Sequence, residues 1–124
     1  MNTRQIGRLC EQAVSADLQK RGAQVLAENY TCREGEIDMI ARVGEYIVFV
    51  EVKARQNGVF AAPAAAVTPA KQRKLILAAK RFLAQQEIEA AVRFDVAEVY
   101  FRIDRESVEI MQITYLENAF EEEL

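Results

Sequence analysis

The chain has 124 residues, of which 51% are apolar and 28% are charged, and its formal net charge is −3. A chain of this length buries about two-thirds of its extended surface, so we expect one domain that needs neither disulfide bonds nor a structural metal to fold. Histidine is absent, which excludes Ser-His-Asp and Cys-His triads and any zinc site with histidine ligands. Hydrolytic chemistry in this chain must therefore use carboxylates, lysine and a hard metal ion.

The N-terminal residues do not resemble a signal peptide, because charged residues interrupt their apolar positions. No apolar run approaches the ~20 residues that a membrane-spanning helix needs. We therefore expect a cytoplasmic protein without a membrane partner. Cys10 and Cys32 form no CxxC pair, so a zinc ribbon or a thiol redox motif is not supported. Cys10 falls on an apolar helical stripe, where it is expected to pack as a small hydrophobic residue.

Acidic residues are concentrated at the C-terminus. Residues 117–124 hold four of the 19 acids and none of the 16 bases, so residues 1–116 carry a formal charge of +1. Four further acids are assigned below to one site, which leaves a moderately basic remaining surface that could bind phosphates. We therefore predict a single domain over residues 1–116, followed by an acidic, solvated tail over residues 117–124.

The first half of the chain predicts a helix followed by three strands. Residues 3–21 keep the apolar spacing of one helical face, and Gly22 is the stop signal. Residues 23–30 indicate a short edge strand. Residues 35–43 and 46–54 are predicted to form two further strands, of which the second is strongly apolar, as a central strand covered on both faces is. The Gly44-Glu45 pair between them predicts a type II′ hairpin turn.

The second half predicts a loop, a helix and two strands. Residues 55–67 show little periodicity and contain glycine and proline, which is typical of a loop. Thr68 is placed to cap a second helix, with Pro69 at its first position. Residues 92–101 and 107–115 alternate as strands. This order predicts an α/β sandwich built around a mixed sheet.

The informative residues lie on both strands of the predicted hairpin. Counting back from the turn places Asp38 opposite Glu51 and Glu36 opposite Lys53. Directly opposed residues share a face of the sheet, with Cβ atoms about 5 Å apart. Burying such charges costs several kcal/mol each unless they have partners, and two opposed carboxylates repel each other. A divalent cation between Asp38 and Glu51 would offset both costs.

Mg²⁺ suits such a site because it is commonly bound by one or two carboxylates together with water and substrate phosphate. Lys53 could orient the attacking water or stabilise charge on the phosphate. Glu11 lies at the flank of the first helix's apolar stripe, where it could complete the metal site. Two simpler interpretations of these residues remain open: Glu51 and Lys53 could form a structural ion pair, and Glu11 could be a solvated helix residue. Glu36 could equally be a partner of Lys53.

The second helix begins with a basic stretch. Lys71, Gln72 and Lys74 lie at its start, where free N–H groups also favour an anion. We predict that these residues, together with Arg55, contact the phosphate backbone of a nucleic acid. The alternative is an ordinary solvated helix face.

These residues resemble the signature of a known bacterial family, UPF0102, also called YraN-like. The string GEIDMIARVGEYIVFVEVKAR carries most of the resemblance, which also covers Gly7 and Glu11, Asn29-Tyr30, residues 67–73 and residues 93–96. That family is similar to the PD-(D/E)xK nuclease superfamily, especially archaeal Holliday-junction resolvases and RecB-type nuclease domains. The resemblance implies a restriction-endonuclease-like sandwich with a central mixed five-stranded sheet flanked by helices.

The resemblance also implies roles for individual residues. Asp38 would be the metal-binding acid, Glu51 the second metal ligand and Lys53 the catalytic lysine, and Glu11 would match the helix-1 glutamate of the resolvases. Glu36 is assigned to the surroundings of the metal site. Ile37 replaces the proline that precedes the aspartate elsewhere in the superfamily.

Three hypotheses follow from the sequence. The first is an Mg²⁺- or Mn²⁺-dependent deoxyribonuclease that hydrolyses DNA phosphodiesters, with branched or processed DNA as candidate substrates. The alternative is a non-catalytic nucleic-acid-binding or adaptor protein that retains the nuclease fold. In the third, a protein-interaction module, the acids form only structural ion pairs, and the joint presence of all four site residues disfavours it. Resolvases work as two-fold dimers, so a homodimer is expected by analogy.

Overall fold

The computed structural model describes residues 1–56 and 67–120. Within these residues, two helices and five strands follow one another in the predicted order of helix, three strands, helix and two strands. Their bounds are α1 (Thr3–Lys20), β1 (Gln24–Cys32), β2 (Gly35–Val43), β3 (Tyr46–Gln56), α2 (Pro69–Gln86), β4 (Ala91–Asp104) and β5 (Ser107–Phe120).

The five strands form one mixed sheet in the order β1-β2-β3-β4-β5. All neighbours are antiparallel except β3 and β4, which are parallel. A parallel pair needs a crossover connection, and α2 lies within the chain segment that links β3 to β4. The predicted α/β sandwich with a five-stranded mixed sheet and flanking helices is confirmed, and it is consistent with a restriction-endonuclease-like fold.

The turn between β2 and β3 has the predicted two-residue form. Gly44 adopts φ +59° whereas Glu45 does not have a positive φ, which matches a type II′ turn. Val43 pairs with Tyr46, and the register runs without a shift to Met39 and Val50. This hairpin sets the alignment of the two strands that carry the candidate site.

Each helix begins at a residue suited to cap it. Asn2 caps α1 through a reciprocal capping box with Gln5, in which each side chain accepts the other residue's backbone N–H at 2.9 Å. Thr68 caps α2 by accepting the N–H of Lys71 at 3.2 Å, and Pro69 takes the first helical position. Both N-termini lie where the sequence predicts them.

The two faces of the sheet are covered by different helices. On one face, α1 supplies the fully buried Cys10 and Val14 to a cluster with Val48 and Val50 of β3. On the other face, α2 supplies Leu75, Ala78, Ala79 and Phe82 to a cluster with Ile47 and Phe49. β3 is therefore apolar on both faces, as a strand covered on both sides must be. The expected packing role of Cys10 is confirmed.

The regular alternation of side chains breaks at Asp38 on β2. Met39 and Ala41 pack on the α1 face, yet Ile37 and Ile40 both pack on the α2 face, which a strict period of two forbids. The neighbouring strand is irregular at the same level, because Asn29 adopts φ +51°. The β1–β2 pairing passes from Glu28–Met39 to Tyr30–Ile37 without a pair between Asn29 and Asp38.

Several strands are longer than predicted. β1 continues to Cys32, β3 to Gln56 and β5 to Phe120, so residues 117–120 of the expected tail belong to a strand. Asp95 holds this extension in place: its Oδ1 accepts the backbone N–H of Asn118 at 2.9 Å, while Arg93 donates to both of its oxygens. Phe120 stacks on Phe94 with ring centroids 4.8 Å apart.

The predicted loop lies partly in β3, and its residues 57–66 lie outside the described residues, as do residues 121–124 of the predicted tail. In the part of the chain that the structure describes, no helix combines the length and apolar character that a membrane span requires.

Candidate active site

Asp38 lies where the β2–β3 pairing ends. The backbone pairing of β2 with β3 ends at Met39–Val50. Beyond that point, the Asp38 carboxylate accepts the backbone N–H of Val52 at 2.8 Å, in place of a backbone carbonyl of β2. Burial and the negative charge of Glu51 raise the pKa of Asp38 to about 7, against the opposing effect of the Val52 hydrogen bond. The structure therefore places Asp38 next to Glu51, although through the hydrogen bond to Val52 and not through a regular backbone pair.

Glu51 is buried on the α2 face of β3, with a side chain only 7% exposed. The Lys71 ammonium donates a hydrogen bond to its Oε1 at 2.6 Å, and Lys53 Nζ lies 3.8 Å from the same oxygen. Partial burial lowers the pKa of Lys71, but the hydrogen bond and charge of Glu51 outweigh this effect and raise it overall. Two ammonium groups therefore flank one buried carboxylate.

Glu11 reaches the same region from the opposite face of the sheet. It lies on α1 within hydrogen-bonding reach of both Asp38 and Asn29. Burial and the charge of Glu36 raise the pKa of Glu11, whereas those hydrogen bonds and the charge of Arg8 oppose the rise. The break in alternation at Asp38 explains how this one residue meets partners from both faces.

Asn29 links two of the acids through its side-chain amide. With the amide nitrogen turned toward them, it donates to Glu11 Oε1 at 3.2 Å and to Glu36 Oε1 at 3.1 Å. The expected pairing of Glu36 with Lys53 is wrong, because the β2–β3 pairing ends at Met39–Val50 and Glu36 lies on the α1 side of the sheet, beside Glu11. The assignment of Glu36 to the surroundings of a metal site stays a prediction.

The residues predicted to bind nucleic acid differ in whether their side chains already have partners within the protein. Lys71 is engaged with Glu51 in the site itself, and Gln72 donates to the carbonyl of Val67 at 2.8 Å. Arg55 forms an ion pair with Glu98 at 3.3 Å. Lys74 is exposed one helical turn after Lys71. Their contact with a nucleic acid stays a prediction, and three of these four side chains already have partners within the protein.

Two contacts of the site, those of Lys71 and Asn29, were not predicted from the sequence. The entry of Lys71 into the carboxylate site depends on how α2 docks on the sheet, which local periodicity does not reveal. Asn29 offered a clearer signal, since asparagine is one of the few residues that adopt the left-handed conformation readily. A lone asparagine near the end of a predicted strand therefore could have marked the irregularity.

The carboxylates of the candidate site provide some, but not all, of the ligands that a hard divalent cation needs. Asp38 and Glu51 provide two adjacent carboxylates, which is the number that Mg²⁺ commonly takes from a protein. Within residues 1–56 and 67–120, no three acidic, histidine or cysteine side chains are close enough together to hold a metal ion by themselves. The residues present therefore fit a cation that completes its coordination with water or phosphate oxygens.

Comparisons with known proteins agree on one family. The family model described as "Uncharacterised protein family UPF0102" matches residues 10–99, which include all four predicted catalytic residues. A UPF0102 protein of Caldicellulosiruptor saccharolyticus is 40% identical over 97% of this chain and 100% of its own length. A UPF0102 protein of Geobacter metallireducens is 39% identical over 98% of this chain and 96% of its own length. The chain therefore belongs to the UPF0102 family.

Proposed function

We propose that the protein is a metal-dependent endonuclease that hydrolyses DNA phosphodiesters, with branched or processed DNA as its substrate. The observation that carries this proposal is the placement of two partly or fully buried carboxylates, Asp38 and Glu51, beside the ammonium of Lys53. Burial of like charges side by side is unfavourable. Lys71 and Lys53 offset the charge of Glu51, and a divalent cation would offset the charges of both carboxylates. The reaction would take place in the cytoplasm, where DNA is accessible.

Each residue has a distinct role in this proposal. Asp38 and Glu51 would hold Mg²⁺ or Mn²⁺, and Glu11 would support Asp38 from the opposite face. When bound, the ion supplies Lewis acidity toward phosphate oxygens and water. Lys53 would orient the attacking water or stabilise the negative charge that develops on the phosphate. The hydrogen bond from Val52 fixes one oxygen of Asp38, which leaves its other oxygen for binding.

The test is cleavage of linear, flapped and four-way DNA in Mg²⁺, in Mn²⁺ and in EDTA. Wild type should cleave at least one substrate only when a metal is present, and Glu51→Gln and Lys53→Ala should each lose at least 100-fold, the lower range for a group that stabilises the transition state. Lys20→Ala, at the exposed end of α1, and Glu106→Gln, in the β4–β5 turn, are matched controls that should retain full activity. Equal cleavage by wild type and Lys53→Ala would point to a contaminating nuclease.

A non-catalytic nucleic-acid-binding or adaptor protein is the second candidate, and one contact favours it. Lys71 already neutralises Glu51 at 2.6 Å, so the carboxylate pair can exist without a divalent cation. This candidate predicts DNA binding that does not depend on metal and no cleavage of any substrate. A homodimer is proposed by analogy with resolvases, and light scattering at several protein concentrations would test it.

A further inference from the structure

A cleft lies next to the carboxylate site, on the α1 side of the sheet. The N-terminal half of α1 forms one wall, and the irregular part of β1 and β2 forms the other. Its lining residues are Arg4, Gly7, Arg8, Glu11, Asn29 and Glu36. The cleft therefore borders the candidate site at Glu11, whose charge acts on the Asp38 carboxyl group.

Three charged residues of α1 follow one another along this cleft. Arg4, Arg8 and Glu11 are spaced i, i+4 and i+7, so they lie on one face of the helix. Gly7 lies between the two arginines, and a Cβ atom built there would meet no heavy atom within 4 Å. The space beside Gly7 is therefore open, and a larger side chain placed there would extend into it.

Both arginines are exposed and available to a ligand. Within the described residues, neither guanidinium group makes a hydrogen bond or ion pair, although the charge of Arg8 acts on Glu11. Other arginines are held by carboxylates of the protein, namely Arg21, Arg55, Arg81, Arg93 and Arg102. Arg4 and Arg8 are therefore basic groups beside the candidate site that are free to bind a ligand, whereas most of those predicted on α2 and β3 have partners.

We propose that Arg4 and Arg8 bind the phosphodiester backbone of the nucleic-acid strand on one side of the bond that is cleaved. A guanidinium group can donate two parallel hydrogen bonds to a phosphate, and two such groups one turn apart can hold successive phosphates. Glu11 and Glu36 repel phosphate from the inner end, which keeps the backbone on the arginine side. This inference rests on the proposed function, because it names the surface that delivers the strand to Asp38 and Glu51.

The test measures binding separately from cleavage. Wild type and variants are titrated in EDTA against a fluorescein-labelled DNA duplex with a single-stranded flap, by fluorescence anisotropy at several salt concentrations. Loss of two phosphate contacts in Arg4→Gln with Arg8→Gln should lower the slope of log K against log salt by about 1.4–1.8 and weaken binding roughly tenfold or more near 0.1 M salt. Arg4→Lys with Arg8→Lys should retain most of the slope.

Two further variants separate charge from shape. Lys20→Gln with Arg42→Gln removes the same charge at the opposite end of the sandwich and should bind like wild type. Gly7→Leu fills the cleft without changing charge and should weaken binding while its melting temperature is maintained. The inference is overturned if the Arg4/Arg8 variant binds like the Lys20/Arg42 variant, or if wild type does not bind the DNA.

The outcomes distinguish this inference from the proposed function. Weaker binding by the Arg4/Arg8 variant of a protein that never cleaves DNA would support the cleft and reject the nuclease. Metal-dependent cleavage by wild type with unchanged binding by the Arg4/Arg8 variant would support the nuclease and reject the cleft.

Discussion

Replacing Lys71 by methionine tests whether its ammonium acts as the built-in counter-ion of Glu51. Methionine keeps most of the apolar stem, so the change removes mainly the charge and its 2.6 Å hydrogen bond. Hydrogen bonds to charged groups contribute about 1.5–3 kcal/mol. The Lys71 side chain is 45% exposed and Lys53 remains 3.8 Å from Glu51, so the lower part of that range applies, about 2 kcal/mol.

This loss translates into a measurable shift in melting temperature. An unfolding entropy of about 2.1 cal/mol/K per residue gives about 0.26 kcal/mol/K for the whole chain, so the melting temperature should fall by about 8 °C. Differential scanning fluorimetry in EDTA measures it, and chemical denaturation gives the free energy of unfolding. Lys74→Met, one turn further along the exposed face of α2, is the matched control and should change stability by less than about 0.5 kcal/mol.

A double variant and the effect of divalent metals on stability provide two further tests of the role of Lys71. Adding Glu51→Gln to Lys71→Met removes the uncompensated charge, so the double variant should regain much of the lost stability. Mg²⁺ or Mn²⁺ should stabilise Lys71→Met more than wild type, because no ammonium then competes for Glu51. An unchanged melting temperature for Lys71→Met, or strictly additive effects of the two substitutions, would refute the assigned role of Lys71.

The remaining predictions concern stability and positioning. Asp95→Ala leaves Arg93 without its buried carboxylate and should cost about 3 kcal/mol in the free energy of unfolding, measured by urea denaturation; a loss below 1 kcal/mol would contradict it. Asn29→Ala should be less stable than Asn29→Gly by about 1 kcal/mol, since glycine tolerates the positive φ, and both should reduce cleavage because the amide no longer holds Glu11. Phe82→Ala should lower the free energy of unfolding by about 3–5 kcal/mol and should weaken the near-ultraviolet circular dichroism of the aromatic side chains. An unchanged free energy of unfolding would contradict the assignment of Phe82 to the core.

The hairpin shows what the sequence could predict. The turn depends on two adjacent residues, and the pairing register follows from it because the side-chain period is two. The start of α2 at Thr68 and Pro69 is similarly local. Asp38 and Glu51 lie close together because the turn aligns their strands, so this part of the site could be worked out before the fold was known.

Contacts that depend on how a helix packs on the sheet, or on an irregular backbone conformation, could not be predicted in this way. Lys71 reaches Glu51 only because α2 packs on that face of the sheet. Glu36 leaves the face of Lys53 because the alternation is interrupted at Asp38. β5 extends past its expected end because the buried Asp95 binds the backbone of Asn118, an interaction between residues that are far apart in sequence.

Because the alternation of side chains is interrupted at Asp38, residues from the helices on both faces of the sheet come close to this carboxylate. A regular strand would direct this carboxylate toward a single helix, and the other helix could loosen without consequence for it. Here Glu11 arrives with one layer and Lys71 with the other, so the full constellation can form only while both helices are seated against the sheet. Partial unfolding of either helix would therefore disassemble the candidate site before the sheet itself separates, so that the proposed activity would depend on the integrity of the entire sandwich.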